Sequence, residues 1–371
     1  MSGWRRSVRS VSPAPDPHGE PGERADPEEG DAGFAVGIRG WRDRPDVPPP
    51  SGQIDLVGAG ATFPYPLYRR WFEEYGAGSG VRINYFSVGS PEGLRLLTTG
   101  GADFGAIDRP LTAEEGRGMA CGPLEIPTAI GAVAVVANVP VPEGIRLDAT
   151  TLDQLLAGRI IRWNDPALVA ANPALASIDL PVIVARREAA SGTADLITAY
   201  LEDGGTPSLT RRIAPEAGAI VPGNEGVAAL VRATPGAVGF VELSYARHAR
   251  LTPMALRNRA GAYITPDSLS MSRTAEALLR TPRDDQRASL VGADAPEAYP
   301  VVGITRIVAD RALGDAMRGA HLIAFMRWAL AEGTVDATAL GYAPLPSAVR
   351  RRLDARLAAL TPGRCPGSEA E

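Results

Sequence analysis

Residues 54–108 read IDLVGAGATFPYPLYRRWFEEYGAGSGVRINYFSVGSPEGLRLLTTGGADFGAID, and this stretch decides the fold class. Three apolar segments in it, at 54–60, 81–90 and 102–108, have the composition of buried β-strands. Two segments with helical spacing of apolar residues, PLYRRWFEEYG and PEGLRLLTTG, lie between them. The strand-helix-strand-helix-strand order is typical of an α/β sheet.

The same alternation continues towards the C-terminus. AVAVVANVP and PVIVARR have the composition of strands, whereas DATTLDQLLAG and ASGTADLITAYLE have the spacing of helices. Further on, the sequence predicts a strand at YPVVGITRIVA, a helix at HLIAFMRWALAEG, a loop at GYAPLP and a basic amphipathic helix at SAVRRRLDARLAAL. The sheet-and-helix module is thus expected twice, before a C-terminal third that completes the fold.

Residues 1–52 differ from the rest of the chain, because they are rich in Pro, Gly and charge and lack apolar periodicity. This composition predicts a disordered lead. The start MSGWRRSVRS has the basic character of a secretory n-region, but no apolar h-region follows, so no signal peptide is visible. The longest apolar run, at 129–141, is too short to span a bilayer and predicts a buried strand instead of a membrane anchor.

The composition excludes several classes of protein. The 371 residues, 45% of them apolar, are enough for two domains of about 150 residues each. All 38 basic residues are Arg, which excludes a Walker lysine and a Schiff base. The three His and two Cys lack the spacing of a metal site, so we expect no metal and no cofactor; one bridge between Cys121 and Cys365 stays open. A net charge of −5 argues against nucleic acid as a partner.

A glycine-rich turn, GAGATFP at 58–64, follows the first predicted strand and precedes a helix. Phe63 stands where a dinucleotide fingerprint needs a third Gly, and no Lys is present for a P-loop. The remaining functional interpretation is an oxyanion-binding turn, in which Thr62 offers its hydroxyl and the backbone amides near the helix start point at the anion. An ordinary strand-to-helix turn is the alternative.

Two more strand ends carry polar groups. Ser90, in SVGSPEG, is a hydroxyl donor at the predicted N-cap of the next helix, and capping alone would also explain it. Asp108, in ADFGAIDRPLT, follows the third strand, where a carboxylate is often only a cap or turn residue.

The segment ARREAASGTADL at 185–196 is the most informative one. A strand ends in two Arg, and Ser191, Gly192 and Thr193 then open a helix, which brings guanidinium, hydroxyl and helix amide groups to one place. This combination suits a tetrahedral oxyanion. A nucleophilic Ser191 is disfavoured, because the G-x-S-x-G motif is absent and no His lies in a suitable sequence context.

Taken together, these segments resemble the phosphate-binding proteins of the bacterial high-affinity phosphate ABC importer, a family of periplasmic solute-binding proteins. The resemblance runs from about residue 54 to 360. It includes GAGATFPYPLY, DFGAIDRPL, IPTAIGAVAV, GRIIRWNDPALVAANP, RREAASGT, PGNEGVAALVRATPGAVGFVELSYA and GYAPLP. One departure is Ala189, which stands where family members usually have an Asp beside the binding Arg.

The resemblance implies a two-lobed α/β fold of the periplasmic-binding-protein type, with the chain crossing twice between lobes and a phosphate cleft between them. Lobe one would comprise 54–129 and 298–360, and lobe two 130–297, with 361–371 as a tail. The implied phosphate-binding residues are Thr62, Phe63, Ser90, Asp108, Arg187, Ser191, Gly192 and Thr193. Asp108 is expected to be ionised and to select phosphate, which carries a proton at neutral pH, over sulfate, which does not.

The implied function is binding of inorganic phosphate, without catalysis, and its delivery to the membrane permease subunits of the importer from the periplasm. Two alternatives remain open. One is a phosphate sensor, or a protein for another oxyanion, without a transport role. The other is a phosphatase or hydrolase that uses Ser191, which the missing metal ligands and missing base disfavour.

Overall fold

The structure of the protein, a computed structural model, describes residues 54–141, 144–187, 191–206, 218–279 and 291–365. The predicted lead at 1–52 and the tail beyond residue 365 lie outside them. In chain order the strands are β1 (Asp55–Gly60), β2 (Arg82–Ser87), β3 (Phe104–Ile107), β4 (Pro123–Ala137), β5 (Arg146–Leu147), β6 (Ile183–Arg187), β7 (Gly218–Val221), β8 (Ala237–Glu242), β9 (Ala255–Arg257), β10 (Tyr263–Ile264), β11 (Val302–Asp310) and β12 (Ala343–Pro344).

The α-helices are interspersed among these strands, as expected for an α/β fold. They are α1 (Tyr65–Ser79), α2 (Ser90–Thr98), α3 (Ala113–Gly116), α4 (Ala149–Leu156), α5 (Pro166–Val169), α6 (Gly192–Asp203), α7 (Gly223–Ala233), α8 (Leu243–His248), α9 (Ser268–Leu279), α10 (Ala316–Ala331), α11 (Thr334–Leu340) and α12 (Ser347–Ala358). A 3-10 helix spans Pro173–Ser177. Among the described residues, no helix is both long and apolar enough to cross a bilayer.

The main sheet has the strand order β2-β1-β3-β11-β4-β8-β6-β7, and β12 also pairs with β4. Strands β1, β2 and β3 are parallel to one another, and so are β6, β7 and β8. Strand β11 is antiparallel to both β3 and β4, and β4 is antiparallel to β8. The α/β fold class predicted from the sequence is confirmed. A smaller sheet has the order β10-β9-β5.

Strand β4 connects the two groups of parallel strands. Its residues 123–132 pair with β11, and its residues 133–137 pair with β8. Residues 126–136 are all buried, in agreement with the buried strand predicted from the apolar run that begins at residue 129. Beyond β4, the strands β11, β3, β1 and β2 on one side come from 54–129 and 298–360, and β8, β6 and β7 on the other side come from 130–297, whereas the short β12 pairs with the edge of β4 opposite to β11. The division into two lobes at these boundaries remains a prediction.

Helix α1 illustrates how the core is built. It buries Leu67, Tyr68, Trp71 and Phe72 on one face, at the spacing expected of an amphipathic helix. The indole Nε1 of Trp71 donates to the carbonyl oxygen of Gly333 at 2.7 Å, so this large side chain is buried without an unpaired donor.

The C-terminal part differs from the expectation in two ways. GYAPLP was predicted as a loop, but its residues Ala343–Pro344 form strand β12, because their backbone pairs with Ala129 and Ile130 of β4. Cys121 and Cys365, which the sequence left open as a pair, form a disulfide bond with a Cα–Cα distance of 5.1 Å. The bond joins the start of the tail to the turn before β4. Disulfides persist in oxidising compartments.

Candidate functional site

The candidate site lies at the carboxyl ends of β1, β2 and β3, where parallel α/β sheets commonly bind ligands. At the end of β1 the backbone turns at Gly60, whose φ is +144°. A Cβ here would lie 2.3 Å from the carbonyl oxygen of Ala106 in β3, so only glycine fits. The turn places Thr62 and Phe63 directly after it, with both side chains buried.

Ser90 is the first residue of α2 and is 4% exposed. The prediction that it is the N-cap is wrong, because that position is Gly89, at φ +89°. Helix α2 packs directly on the turn, since a Cβ on Gly93 would lie 2.3 Å from the Cα of Gly60. The Ser90 hydroxyl has no hydrogen-bond partner among the described residues. Capping therefore does not account for this side chain.

Asp108 follows β3 and is 3% exposed. It caps no helix, because Thr112 is the N-cap of α3 and forms a capping box with Glu115. Its Oδ1 accepts no hydrogen bond from the described residues. A buried carboxylate oxygen without a donor is costly, and this oxygen is therefore free to accept one from a ligand.

The protonation of Asp108 is set by burial. Burial raises the pKa of the Asp108 carboxyl to about 7, and the nearby charge of the Arg187 guanidinium opposes this rise without cancelling it. The carboxyl in the ligand-free site is therefore partly protonated near neutral pH. Full ionisation, which was expected from the sequence, requires a pH above this pKa.

The second group of predicted residues lies at the end of β6 and the start of α6. Arg187 ends β6, and its charge acts on Asp108. Ser191 is the N-cap of α6, but its side chain makes no capping hydrogen bond, and its buried hydroxyl has no partner among the described residues. Gly192 and Thr193 follow as the first helical residues, both buried. Residues 188–190, and with them Ala189, lie outside the described part of the chain.

The two groups of residues meet at Gly192. A Cβ on Gly192 would lie 2.8 Å from Oδ2 of Asp108, so the start of α6 is in contact with the end of β3. An ion pair of 3.6 Å between Arg109 and Asp195 of α6 joins the same two elements. The structure thus brings Asp108, Arg187 and the start of α6 together, and Thr62 and Ser90 lie at the adjoining strand ends.

This arrangement can hold a tetrahedral oxyanion that carries a proton. It offers a guanidinium, buried hydroxyls without partners among the described residues and the N-terminal amides of α6, all of which favour an anion. The carboxyl of Asp108 adds one acceptor for a ligand proton. No group of His, Cys, Asp and Glu suited to a metal ion occurs in the described part of the chain.

Comparison with known proteins identifies the family. A family model described as a PBP superfamily domain matches residues 47–332. A phosphate-binding protein PstS from Xylella fastidiosa (strain Temecula1) is 30% identical over 326 residues, covering 85% of this chain and 89% of its own. PstS from Haemophilus influenzae is 31% identical over 304 residues, covering 79% and 90%. The chain belongs to the PstS family of the PBP superfamily.

Solved structures show the same fold as this PstS-family chain. A high-affinity periplasmic phosphate-binding protein named PfluDING, solved with bound phosphate, has a TM-score of 0.66 at 19% identity, covering 81% of this chain and 93% of its own. An ABC-type phosphate transport receptor from Vibrio cholerae has a TM-score of 0.52 at 20% identity, covering 79% and 100%. The periplasmic-binding-protein type of fold predicted for the chain is confirmed.

The structure of this PstS-family chain adds a buried polar network that was not expected from the sequence. Asn224 Nδ2 donates to Thr62 Oγ1 at 2.9 Å, and the hydroxyl of Tyr245 donates to the carbonyl oxygen of Thr62 at 2.6 Å. The hydroxyl of Tyr342 lies 2.8 Å from the carbonyl oxygen of Phe63 and 2.9 Å from Oε2 of Glu242. In the sequence, these residues lie in GNEG, VELSYA and GYAPLP, which carry the family resemblance but give no sign of a contact with Thr62 or Phe63.

Glu242 is fully buried at the centre of this network. Burial raises the pKa of its carboxyl to about 8, although hydrogen bonds from Ser244 and Tyr342 favour the ionised form. The network holds the turn after β1 against α7 and α8. Two features therefore fix the backbone of this turn. One is the network, which holds Thr62 and Phe63, and the other is the packing of α2 on Gly60.

Proposed function

We propose that this protein binds inorganic phosphate at the candidate site, without chemical conversion, and delivers it to the permease of a phosphate ABC importer. The observation that carries the proposal is a set of buried polar atoms without partners among the described residues, Ser90 Oγ, Asp108 Oδ1 and Ser191 Oγ, together with the charge of Arg187 acting on Asp108. Together they offer donors and one acceptor, which match a protonated oxyanion. The PstS relatives are named for phosphate binding, which agrees with this chemistry.

The proposed ligand contacts are those predicted from the sequence. Four hydroxyl groups would donate to the phosphate, those of Thr62, Ser90, Ser191 and Thr193. The guanidinium of Arg187 would bind two phosphate oxygens. Backbone amides of Phe63 and Gly192 would complete the donors. The ionised carboxylate of Asp108 would accept a hydrogen bond from the protonated oxygen of the phosphate. Closure of the two proposed lobes around the desolvated anion would present the state that a permease recognises.

Export to the periplasm is part of the proposal. The disulfide between Cys121 and Cys365 supports it, because such bonds persist outside the reducing cytosol. Fractionation of the native host tests the location, and loss of phosphate uptake on deletion of the gene tests the role in transport. A protein that stays in the cytosol, or a deletion that leaves uptake unchanged, favours a sensor instead.

Hydrolysis by Ser191 finds no support in the geometry. Activation of a serine needs a base within hydrogen-bond reach, and the Ser191 hydroxyl has no hydrogen-bond partner among the described residues. A phosphatase assay with a general phosphomonoester substrate tests this alternative. We expect no turnover above that of an Arg187→Ala variant.

Calorimetric titration of phosphate-free protein tests the ligand assignment. At pH 8 we expect binding of phosphate and arsenate but not of sulfate, because an ionised Asp108 accepts a hydrogen bond from the O–H group of the first two and repels the third, which has no such group. Asp108→Asn should lose part of this preference, because its amide can rotate to donate to an unprotonated oxygen. Tight sulfate binding by the wild type would refute both the role of Asp108 and the choice of phosphate.

A further inference from the structure

Asn224 is a fully buried polar residue in the first turn of α7. It contacts Thr62, one of the proposed phosphate-binding residues. Its Oδ1 accepts a hydrogen bond from the backbone N–H of Glu242 at 3.0 Å. Its Nδ2 donates to Oγ1 of Thr62 at 2.9 Å. Both functional ends of the side chain are therefore used, and Asn224 has a defined orientation.

That orientation follows from the chemistry of the partners. A backbone N–H can only donate, so the end of Asn224 that faces Glu242 must be the oxygen. The other end is then the NH₂ group, which can only donate to Thr62. The hydroxyl of Thr62 must accept this hydrogen bond with a lone pair, and its own hydrogen is left to point elsewhere.

The hydrogen of the Thr62 hydroxyl has no acceptor among the described residues. Thr62 is also fixed through its backbone, because its carbonyl oxygen accepts a hydrogen bond from the Tyr245 hydroxyl. Because the residue is held at two points and one lone pair of its hydroxyl is occupied, the hydroxyl hydrogen remains available to donate to a ligand. An anion is the partner that benefits from a donor oriented in advance.

We propose that Asn224 is a positioning residue that commits the Thr62 hydroxyl to donate to the bound phosphate. This inference rests on the proposed function, since it assigns the direction of one hydrogen bond to the same ligand. Asn224 does not contact phosphate itself. Its contribution to affinity is therefore expected to depend on the presence of the Thr62 hydroxyl.

A double-mutant cycle of Asn224→Ala and Thr62→Val, read out as the phosphate dissociation constant, tests the dependence. Val has nearly the shape of Thr but no hydroxyl. We expect each single variant to weaken phosphate binding about tenfold, the effect of one lost hydrogen bond to a charged ligand. In the Thr62→Val background, Asn224→Ala should weaken binding less than about twofold further.

The matched control is Asn172→Ala. Asn172 is also buried and bonds an amide and two carbonyl groups, those of Arg146 and Leu168, none of which belongs to the site. We expect it to lower the melting temperature while the phosphate dissociation constant stays within about twofold of the wild type. This separates loss of a buried amide in general from loss of the contact to Thr62.

If Asn224→Ala does not fold, as judged by circular dichroism, the cycle is run with Asn224→Asp, which keeps an oxygen for the Glu242 amide. The negative charge of Asp affects phosphate binding equally with and without the Thr62→Val substitution, so its effect cancels in the cycle. The loss of the NH₂ donor of Asn224 affects binding only when the Thr62 hydroxyl is present. Equal losses in both backgrounds would overturn the inference while leaving the proposed function intact. A wild type that binds no phosphate would overturn the proposed function, and the inference with it.

Discussion

Two arginines, Arg186 and Arg187, end strand β6. The charge of Arg187 acts on the buried carboxyl of Asp108, and successive residues of a strand point to opposite faces. We therefore expect Arg187→Ala to weaken phosphate binding by about 1.5–3 kcal/mol, the range for charge-assisted hydrogen bonds. Arg186→Ala is the matched control and should change the calorimetric affinity far less. Equal losses for the two variants would contradict this assignment of the strand faces.

The raised pKa of Asp108 also has a consequence for stability. A carboxyl with a pKa of about 7 in the folded protein and 3.8 when unfolded binds more protons in the folded state between these values. Its contribution to stability is complete below about pH 4 and is lost as the pH rises through 7. The unfolding free energy of ligand-free protein should thus fall by up to about 1.4 kcal/mol for each pH unit in this window. Glu242 acts in the same direction, because its pKa is also raised.

Urea unfolding of phosphate-free protein at about pH 5.5, 7 and 8.5 measures this dependence. Asp108→Asn, which is neutral throughout, should reduce the fall in stability and be more stable than the wild type at the highest of these pH values. Glu92→Gln is the control, since Arg95 lowers the pKa of this exposed carboxyl and it is ionised in both states over this range. An unchanged pH dependence in Asp108→Asn would show that the carboxyl is not destabilised in the empty site.

At the scale of helices and strands, the sequence predicted what depends on local periodicity. The apolar spacing of residues 54–108 identified β1, α1, β2, α2 and β3 in the right order, and the polar groups at their ends are those of the candidate site. The role of β4 was not predictable in the same way, because its pairing with β11 joins residues that are far apart in the chain. The contact between Asn224 and Thr62, 162 positions apart, likewise has no local signal.

The disulfide between Cys121 and Cys365 is an element-scale constraint, since it ties the end of the chain after α12 to the turn before β4. Neither cysteine lies in the candidate site. Cys365→Ser should lower the unfolding free energy by about 2–4 kcal/mol, the usual effect of losing a native disulfide, and leave phosphate affinity unchanged. Urea unfolding measures the loss.

Cys121→Ser and the double variant serve as controls, because all three variants lose the same bond. We therefore expect equal destabilisation in the three and no further effect of reductant on any of them. If reductant does not destabilise the wild type, or if two free thiols titrate in the native protein, the disulfide does not contribute to stability.

At the scale of the whole molecule, an acidic protein with a net charge of −5 is proposed to bind an anion. The long-range field does not attract phosphate, so affinity must come from donors placed at short range. These donors come from strands on both sides of β4, at Thr62 and Ser90 on one side and at Arg187 and Ser191 on the other. A phosphate bound to both groups would join them by further hydrogen bonds, in addition to the contacts that already exist in the free protein.

Phosphate should therefore stabilise the fold as a unit. At about a hundredfold excess over its dissociation constant, a ligand that binds only the folded state adds about 2.7 kcal/mol. For a chain of 371 residues, that corresponds to an increase of about 3–4 °C in melting temperature. Differential scanning calorimetry of phosphate-free protein, with phosphate or sulfate at matched ionic strength, measures the shift. Arg187→Ala should shift much less at the same phosphate concentration, because its occupancy is lower. A melting temperature that phosphate leaves unchanged, or that sulfate raises equally, would contradict specific binding across the two groups of strands.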